Sequence, residues 1–427
     1  MNSQPVAGVD VSKKFSDMCI LAPDNTIFKK LKIFHDSTSM ERSLKYLQQS
    51  EDEFGQKPVI IMESTAHYHR IPAQFYQRAG YDVIVINPMQ SSALKNINIR
   101  KVKNDELDAY RIAQLYRLQA IKRTNLPMET LLDLRELCRQ RHSLVMQRVR
   151  YNNKLIGLLD QCFPGYSGIF CNVKCNSSLA LLCQYQTPEA VLKAKPAKLV
   201  SIIGRGASRG DNSQYAIKKA KILIERAKEA EHISLGRAVF PILIKAHAEM
   251  IIALSSNIKA MDETIIQVSM TDSSIDKNIQ LLSTIPGIAR QSATVLLAEI
   301  GDFSMFSRPK QLVAFCGLDP SVKQSGAYAA LKNKISKRGS AHMRAALYIC
   351  SQAAIFSIKG KEPKNLVLAD YYNRKLKEKP GQVARCAVMR KMVLYIFAVL
   401  RDQQPYAMKE PSEHAKLNHE KPAAKVA

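Results

Sequence analysis

Four acidic residues stand where the surrounding sequence predicts regular structure. Asp10 lies inside the apolar run 6–11, Glu63 ends the apolar run 59–63, and Asp105 and Asp108 lie three residues apart where a helical pattern begins. A carboxylate within a core strand is costly unless something neutralises it. Because a hard divalent cation held by oxygen ligands neutralises such groups, we predict a site for Mg²⁺, with Mn²⁺ as the alternative ion.

Each acid taken alone has another interpretation. Asp105 could be only a helix N-cap, where Asp is favoured and complements the helix dipole. Glu63 could be a solvated strand end. Asp10 is harder to explain in this way, because Val9 and Val11 on either side of it offer no turn chemistry. Taken together and in this order, the four acids favour the metal site.

The elements that must position these acids follow from hydrophobic periodicity. The N-terminal region is predicted to contain three strands, a helix, a strand, a helix, a strand and a further helix, which is the order of an RNase H fold. The predicted segments are Val6–Val11, Phe15–Leu21, Ile27–Phe34, 40–49, 59–62, 71–78, 81–87 and the helix opened by Asp105. In that fold the first strand, the fourth strand and a late helix bring acids together. Asp105 and Asp108, three apart on a helix, share one face.

The charge of the chain predicts a polyanionic partner. Its 427 residues carry 63 Lys and Arg against 37 Asp and Glu, a formal net charge of +26 with a pI of about 9.7. A soluble protein this basic usually binds nucleic acid, and such binding weakens steeply with salt. Basic residues recur along the chain, which favours a long footprint over a single patch; examples are Arg135, Arg139, Arg141, Arg148, Arg150, Lys218, Lys219, Lys221, Lys332, Lys334, Lys337 and Arg338.

The middle of the chain has the periodicity of long amphipathic helices. Apolar residues recur there at steps of seven or of three and four, as at Leu137, Leu144, Tyr151 and Leu158 and again at Met250, Leu254, Ile258, Met261, Ile265 and Val268. These patterns predict a helical coiled coil, either a hairpin within the chain or a contact across a dimer. Residues 164–210, rich in Gly, Ser and Cys, are expected to be an insertion at the hairpin tip.

The C-terminal region contains a helix–hairpin–helix pattern. Pro286, Gly287 and Ile288 predict a tight turn before the helical run 291–300, whose first amides would contact a nucleic-acid phosphate. The alternative is an ordinary helical corner. Lys13, Lys334, Lys337, Arg338 and Arg344 are further candidates for phosphate binding, and the alternative for these is solvated surface charge.

A loop rich in Gly, Pro and Ser follows at 317–326, and Ser325 within it offers a hydroxyl nucleophile. The residues alone leave this open, since Ser before Gly is usually a turn former and Ser321 and Ser336 compete.

Composition also predicts a compartment and boundaries. No signal peptide is evident, and no apolar run is expected to be long enough to span a bilayer. The nine scattered cysteines suit a reducing cytoplasm. The looser group Cys162, Cys171, Cys175 and Cys183 favours free thiols over a structural zinc site. We expect an α/β catalytic domain at 1–125, a helical region at 126–275, a mostly helical domain at 276–402 and a disordered tail at 403–427.

Two sets of motifs make the chain resemble the DEDD transposases of bacterial insertion sequences (insertion-sequence 110 type), kin of the Piv pilin-gene invertase. The N-terminal motifs are GVDVSK at 8–13, MESTAHY at 62–68 and KNDELDA at 103–109. The C-terminal motifs are IPGI at 285–288, AEIGD at 298–302, FCGLDP at 315–320, QSG at 324–326 and SKRG at 336–339. The likeness covers about 5–118 and 278–400, and the centre matches only in being helical.

The resemblance implies a RuvC-like domain with Asp10, Glu63, Asp105 and Asp108 as catalytic metal ligands, a coiled-coil middle, and a transposase domain whose catalytic serine is Ser325. It also implies a structured guide RNA, the bridge RNA, that pairs with donor and target DNA. We expect a homodimer or homotetramer acting on the bacterial nucleoid without a membrane. In the expected reaction Ser325 attacks the scissile phosphodiester, within a composite site formed with the acids. The rivals are a metal-dependent nuclease or junction resolvase that uses water, a site-specific invertase, and a non-catalytic nucleic-acid scaffold.

Overall fold

The chain forms two units. The computed structural model describes residues 4–64, 67–86, 105–117, 129–208, 210, 213–320, 324–325, 328–329, 334–357, 361–408 and 410–412, with the side chains of 105–107, 324–325 and 328–329 excepted. Residues 1–127 with 302–305 form one unit, and 128–301 with 306–427 form the other.

The first unit is a mixed sheet flanked by helices, as predicted. Its elements are β1 (Val6–Val11), β2 (Phe15–Leu21), β3 (Ile27–Phe34), α1 (Ser37–Phe54), β4 (Val59–Glu63), α2 (Arg70–Arg78), β5 (Val83–Ile86) and α3 (Asp105–Arg117). The strand order is β3-β2-β1-β4-β5, in which β1, β2 and β3 run antiparallel while β4 and β5 run parallel to β1. The predicted order of strands and helices in this unit is thereby confirmed.

The two faces of this sheet hold separate cores. Because side chains alternate along a strand, Ala7 and Val9 of β1 pack with α1 and α2, whereas Val6 packs with α3 on the opposite face. Both faces are covered, which explains why the central strands are apolar on both sides. A polar side chain on either face therefore needs a specific reason.

The second unit is helical. Its helices are α4 (Glu129–Cys162), α5 (Asn176–Leu182), α6 (Pro188–Leu192), α7 (Pro196–Gly206), α8 (Gln214–Glu231), α9 (Val239–Met270), α10 (Ser273–Ser283), α11 (Arg290–Ile300), α12 (Pro309–Phe315), α13 (Ala341–Ile355), α14 (Leu366–Leu376) and α15 (Gly381–Asp402). Short 3₁₀ turns lie at Tyr166–Gly168 and Phe303–Met305, and a small hairpin pairs β6 (Gln324–Ser325) with β7 (Tyr328–Ala329).

The two long helices α4 and α9 pack antiparallel along each other. Arg148 donates to the Ser255 hydroxyl at 3.3 Å, and further along the Tyr151 and His247 rings meet with centroids 5.5 Å apart. The predicted seven-residue positions of α4 are only half-buried. Its fully buried side chains are Leu131, Leu134, Cys138, Leu155, Leu159 and Cys162. Because α4 also packs on α11 and on the inserted helices, its buried face does not follow one continuous seven-residue seam.

The segment predicted as an insertion at the hairpin tip is itself helical. Residues 164–210 contain α5, α6 and α7, and α8 follows them. Their core includes the fully buried Tyr166, whose hydroxyl lies 3.0 Å from that of Ser178. The Gly and Ser residues that suggested a loop serve close packing; a Cβ on Gly206 would lie 2.5 Å from the Ser177 Cα. All nine cysteines of the chain are free thiols.

Helix α9 is long enough and apolar enough to cross a bilayer, judged by length and composition alone. The expectation that no apolar run is long enough is therefore wrong. Its buried face nevertheless packs on α4 and the inserted helices, and its polar residues Ser255 and Asp262 bond to arginines of α4.

Candidate active site

Two of the predicted acids are neighbours in the sheet. Strands β1 and β4 pair in parallel with Val9 opposite Met62, so that the next residues along, Asp10 and Glu63, end the paired segment side by side. Both lie on the face whose other side chains, such as Val6, pack with α3. Neighbouring strands lie about 4.8 Å apart, and the sheet therefore holds these two carboxylates close together.

Gly8 brings the third acid to this face. A Cβ at Gly8 would lie 2.1 Å from the Ala109 carbonyl oxygen and 2.5 Å from the Ala113 amide nitrogen, so only glycine lets α3 approach β1 this closely. Asp108 precedes Ala109 and is only 7% exposed. It accepts a hydrogen bond from Arg111 at 3.0 Å. Asp105 is the first residue of α3, and its side chain lies outside the described residues.

A fifth acid was missed by sequence reasoning. Asp17 on β2 lies directly opposite Asp10 in the antiparallel register and is 7% exposed. Opposite residues share a face, and like charges placed this way destabilise a sheet unless they are compensated. Lys30 and Lys32 of β3 line the same small cavity as Asp17. The signal in the sequence was a second acid in a strand, but only the register shows that it faces Asp10.

These carboxylates match a hard cation in donor chemistry. Oxygen ligands alone suit Mg²⁺ or Mn²⁺. Within the part of the chain whose side chains are described, no three His, Cys, Asp or Glu residues are arranged closely enough to hold a metal ion. Asp105 lies outside that set, and Asp108 is engaged by Arg111. The sheet register places Asp10, Asp17 and Glu63 on one face, and metal binding by the acids stays a prediction.

Ser325 ends β6, the first strand of a two-stranded hairpin in the second unit. It pairs with Tyr328 in the antiparallel register of the hairpin. The base of the segment that carries it is closed by an antiparallel bridge between Pro320 and Ile335, and the Ser336 hydroxyl donates to the Asp319 carboxylate. These nonlocal contacts therefore hold together the two ends of the segment that carries Ser325. The competing Ser336 is used in this closure, and Ser321 lies outside the described residues.

Close backbone packing strengthens this base. Gly317 has a positive φ of 67°, and a Cβ there would lie 2.7 Å from the Gly339 amide nitrogen. Arg344 holds the ends of this segment together: its Nη1 donates to the carbonyls of Cys316 at 3.2 Å and Gly339 at 2.7 Å. Phosphate binding by Arg344 stays a prediction.

The other predicted nucleic-acid ligands occupy exposed turns. Lys13 lies in the tight β1–β2 turn, and Lys337 has a positive φ of 55° next to the exposed Arg338. Lys334 is exposed beside the Pro320–Ile335 bridge. All four present cations at the surface.

The turn at 286–288 has a packing role in the structure. Gly287 has a φ of 104°, and a Cβ there would lie 2.6 Å from the Ala354 Cβ on α13. The Ile288 side chain is buried, and its amide donates to the Ile285 carbonyl at 2.9 Å. Pro286 and Gly287 are half-buried. This turn thus seats α11 against α13, and nucleic-acid contact by its residues stays a prediction.

A buried ion pair explains another motif residue. Glu299 on α11 is 3% exposed and accepts two hydrogen bonds from Arg139 on α4, at 2.7 and 2.8 Å. Burial raises the pKa of Glu299, but hydrogen bonds from Arg139 and Ser340 and the charges of Arg139 and Arg135 outweigh it and leave the pKa lowered. The motif at 298–302 therefore ties the C-terminal helices to α4.

Comparison with known proteins decides the family. Residues 7–164 match a DEDD transposase family of IS110, described as a transposase, and residues 279–367 match the transposase IS116/IS110/IS902 family. The chain belongs to the IS110 transposase family. The N-terminal match extends past the predicted 5–118 to include α4, while the C-terminal match lies within the predicted 278–400.

Relatives of this IS110-family protein extend the match. A 43.6 kDa protein of the insertion element IS110 in Streptomyces coelicolor is 23% identical over 83% of this chain and 84% of its own length. A 44.8 kDa protein of the insertion element IS116 in Streptomyces clavuligerus is 26% identical over 72% of this chain and 74% of its own. The pilin gene-inverting protein of Moraxella bovis is 32% identical over 36% of this chain and 46% of its own.

Proposed function

We propose that this IS110-family transposase cleaves and rejoins DNA with its acid cluster and Ser325 acting in one reaction. The observation that carries the proposal is the convergence of β1, β4 and α3, in which Gly8 seats the helix that bears Asp108 on the strand that bears Asp10. The strand order β3-β2-β1-β4-β5 supports an RNase H-like, RuvC-like domain. The antiparallel pair of α4 and α9 supports the coiled-coil middle.

In this proposal Asp10, Glu63, Asp105 and Asp108 hold Mg²⁺, or Mn²⁺ as the alternative. When bound, divalent ions supply positive charge at the scissile phosphate and stabilise both the attacking and the leaving oxygen. Asp10 and Glu63 contribute from fixed strand positions. Asp108 must exchange its contact with Arg111 for the ion. Asp17, opposite Asp10, adds negative charge to the same face.

Ser325 is the proposed nucleophile. Its Oγ bonds to phosphorus as the bond from phosphorus to the departing sugar oxygen breaks, and the serine proton is balanced by the proton that the sugar hydroxyl gains. A covalent phosphoserine link conserves the bond energy for rejoining without ATP. The closed base of the hairpin, held by Arg344, supports a serine that must be delivered in one position.

The partners follow from charge and family. A net charge of +26 suits a protein that holds donor DNA, target DNA and a structured guide RNA, the bridge RNA. We propose that a homodimer or homotetramer performs the reaction in the cytoplasm, on the bacterial nucleoid. Sequencing the nucleic acid that copurifies with the protein tests the RNA partner: a discrete, folded RNA is expected, and its absence at low salt contradicts it.

Site-specific inversion is a second candidate. The pilin gene-inverting proteins of Moraxella bovis and Moraxella lacunata are each 32% identical to this chain over 152 residues. Inversion and transposition would use the same chemistry and differ in the arrangement of the DNA sites. Supplying the sites in inverted orientation on one plasmid distinguishes inversion from insertion.

The chemistry is tested by trapping a protein–DNA adduct. The wild-type protein with Mg²⁺ should give a covalent adduct on the peptide that contains Ser325, while Ser325→Ala and Asp10→Asn should give none. Strand cleavage retained by Ser325→Ala with a hydrolysed product would instead indicate a nuclease that uses water. Activity unchanged by Asp10→Asn would indicate a non-catalytic scaffold.

A further inference from the structure

A large groove in the second unit lies beside the segment that carries Ser325. It has a volume of about 490 Å³ and runs between that segment and helices α14 and α15. Leu318, Pro320, Lys334 and Ile335 form one wall, from the two ends of the segment that the Pro320–Ile335 bridge closes. Both ends of the segment that carries Ser325 therefore border the groove.

The lining that the structure describes includes several cations and no carboxylate. Lys334, Lys379, Arg390 and Lys391 all line it. Among the described residues, neither Lys379 nor Arg390 forms an ion pair. Asp370, whose charge acts on Lys391, pairs with Arg374 at 3.0 Å. Burial and the charge of Arg374 lower the pKa of Lys391 despite the opposing effect of Asp370. Lys379 and Arg390 thus line the groove as exposed cations outside the ion pairs of the described residues.

An aromatic ring and exposed apolar side chains complete the lining. The Lys391 ammonium lies 4.6 Å from the centre of the Tyr371 ring. Val383 and Leu394 on α15 are 48% and 38% exposed although both are apolar. Cations that meet phosphates, combined with an aromatic ring and apolar surface that meet bases, are the features of single-strand binding grooves.

The volume indicates an unpaired strand. Clefts of about 300–1,000 Å³ hold ligands of small-molecule size, so this groove has room for about one or two unpaired nucleotides. An acidic peptide would satisfy the cations but leaves the ring and the apolar floor without a stacking partner. DNA is favoured over RNA because the groove wall is continuous with the segment that bears the nucleophile.

We propose that this groove binds unpaired nucleotides of the DNA strand that Ser325 attacks and so sets the position of that strand. This inference rests on the proposed function, because only that function makes DNA the substrate at Ser325. The groove residues are Lys334, Tyr371, Lys379, Arg390 and Lys391, of which only Lys334 was a candidate from sequence.

The charge contribution is tested on the full-length protein without divalent metal, so that neither the acids nor the serine chemistry contributes. The ligand is a fluorescent oligothymidylate of about ten nucleotides, a typical single-strand site size. The double variant K379Q/R390Q removes two exposed cations and should lower the slope of log affinity against log salt by about 1.4, since each phosphate contact contributes about 0.7. The matched control K259Q removes an exposed lysine of α9 and should bind as the wild type does.

The stacking contribution has its own variants. Tyr371→Leu should weaken oligothymidylate binding about tenfold. Tyr371→Phe keeps the ring and should bind as the wild type does. Equal binding by both variants contradicts a stacking role. Their unfolding midpoints report any loss of fold.

A native thiol reports occupancy directly. Cys386 lines the groove and is half-buried, while Cys171 is exposed in the inserted helical region. Oligothymidylate should slow alkylation of Cys386 at least severalfold and leave Cys171 unchanged. Equal rates with and without oligonucleotide would overturn the proposal.

The remaining arms separate the possible ligands. If an RNA oligonucleotide of the same length protects Cys386 and DNA does not, the DNA assignment is overturned. If duplex DNA protects Cys386 and the single strand does not, the unpaired-strand assignment is overturned. If groove binding holds but Ser325→Ala retains cleavage, the proposed nucleophile fails and the groove stands. If adducts form at Ser325 while K379Q/R390Q binds as the wild type does, the groove fails and the proposed function stands.

Discussion

Two regions are built by different means. One is the sheet face that carries Asp10, Glu63 and Asp108, here the acid face, and the other is the β6–β7 hairpin that carries Ser325, here the serine hairpin. Asp10 and Glu63 sit on adjacent central strands, and α3 is fixed against them by one glycine contact. Ser325 sits on a two-residue strand whose position depends on contacts at the base of its segment, by Arg344 and Ser336. A metal site needs fixed donors, whereas a nucleophile needs delivery to a substrate. The comparison predicts that acid-face variants lose fold and chemistry together, while hairpin-base variants lose chemistry first.

The largest effect is expected at Gly8. Gly8→Ala places a Cβ 2.1 Å from the Ala109 carbonyl oxygen, so α3 must move away from β1. We expect a loss of about 3 kcal/mol in the stability of the first unit, measured by urea unfolding, with loss of adduct formation. Gly157→Ala is the control, since that helical glycine meets nothing within 4 Å and should gain about 0.5–1 kcal/mol. Similar behaviour of the two variants contradicts the seating role of Gly8.

Glu299→Gln should be nearly as damaging, in the second unit. It leaves Arg139 without its bidentate partner, and because Arg139 is 44% exposed we expect a cost of about 2 kcal/mol. Glu249→Gln breaks an exposed pair with Lys245 on α9 and should change stability by less than about 0.5 kcal/mol. Comparing urea midpoints of the two variants tests whether the buried pair dominates.

The same pair predicts a pH dependence. The pKa of Glu299 is lowered on folding from a usual value of 4.5, so its contribution is present above that pH and is lost as pH falls through the folded value. The stability difference between wild type and Glu299→Gln should therefore shrink in acid. A difference that stays constant as pH falls below 4.5 contradicts the ion-pair account.

Arg344→Lys separates fold from chemistry. One ammonium cannot reach both carbonyls that the guanidinium joins, so the base of the hairpin segment should loosen at a cost of about 1 kcal/mol. Adduct formation at Ser325 should fall more than tenfold while divalent-metal binding is unchanged. Arg226→Lys, at an exposed pair with Glu229, is the control. An adduct rate equal to that of the control would show that the base contacts do not position the serine.

The smallest effect is expected at Ser336. Ser336→Ala removes the hydrogen bond to Asp319 and should cost about 1 kcal/mol or less. Hydrogen exchange should accelerate at the amides of Ser336 and Lys337, which donate to the Asp319 and Gly317 carbonyls. Ser283→Ala, which removes a hydrogen bond within α10, should leave those two amides unchanged. Unchanged exchange in both variants contradicts a closing role for Ser336.

Local sequence patterns predicted the acid face well. Strand alternation and helix spacing place Asp10, Glu63 and Asp108 on definite faces, and the observed element order agrees. The register between β1 and β2 cannot be derived from local patterns. The position of Asp17 opposite Asp10 therefore could not be predicted. Glu299 did carry a signal, since a charge among Leu296, Leu297 and Ile300 suggests a buried partner, but Arg139 lies 160 residues away.

Long-range contacts explain the remaining differences. The contacts of Arg344 could not be predicted from the sequence, because its partners are backbone carbonyls, which leave no trace in the side-chain pattern. Helix α14 does carry a local signal, since Asn365 caps it by accepting from the Leu368 amide at 3.0 Å. Gln403 and Tyr406, in the predicted tail, bond to Asn278 and Thr284, while 413–427 lies outside the described residues.

The central claim is that carboxylates from β1, β4 and α3 form one divalent-cation site, and Mn²⁺ titration followed by electron paramagnetic resonance tests it most directly. The wild-type protein should bind Mn²⁺ in competition with Mg²⁺, and Asp10→Asn, Glu63→Gln and Asp108→Asn should each abolish that binding. Asp160→Asn, on the exposed side of α4, should bind as the wild type does. Mn²⁺ binding that survives in the three acid variants would contradict the account.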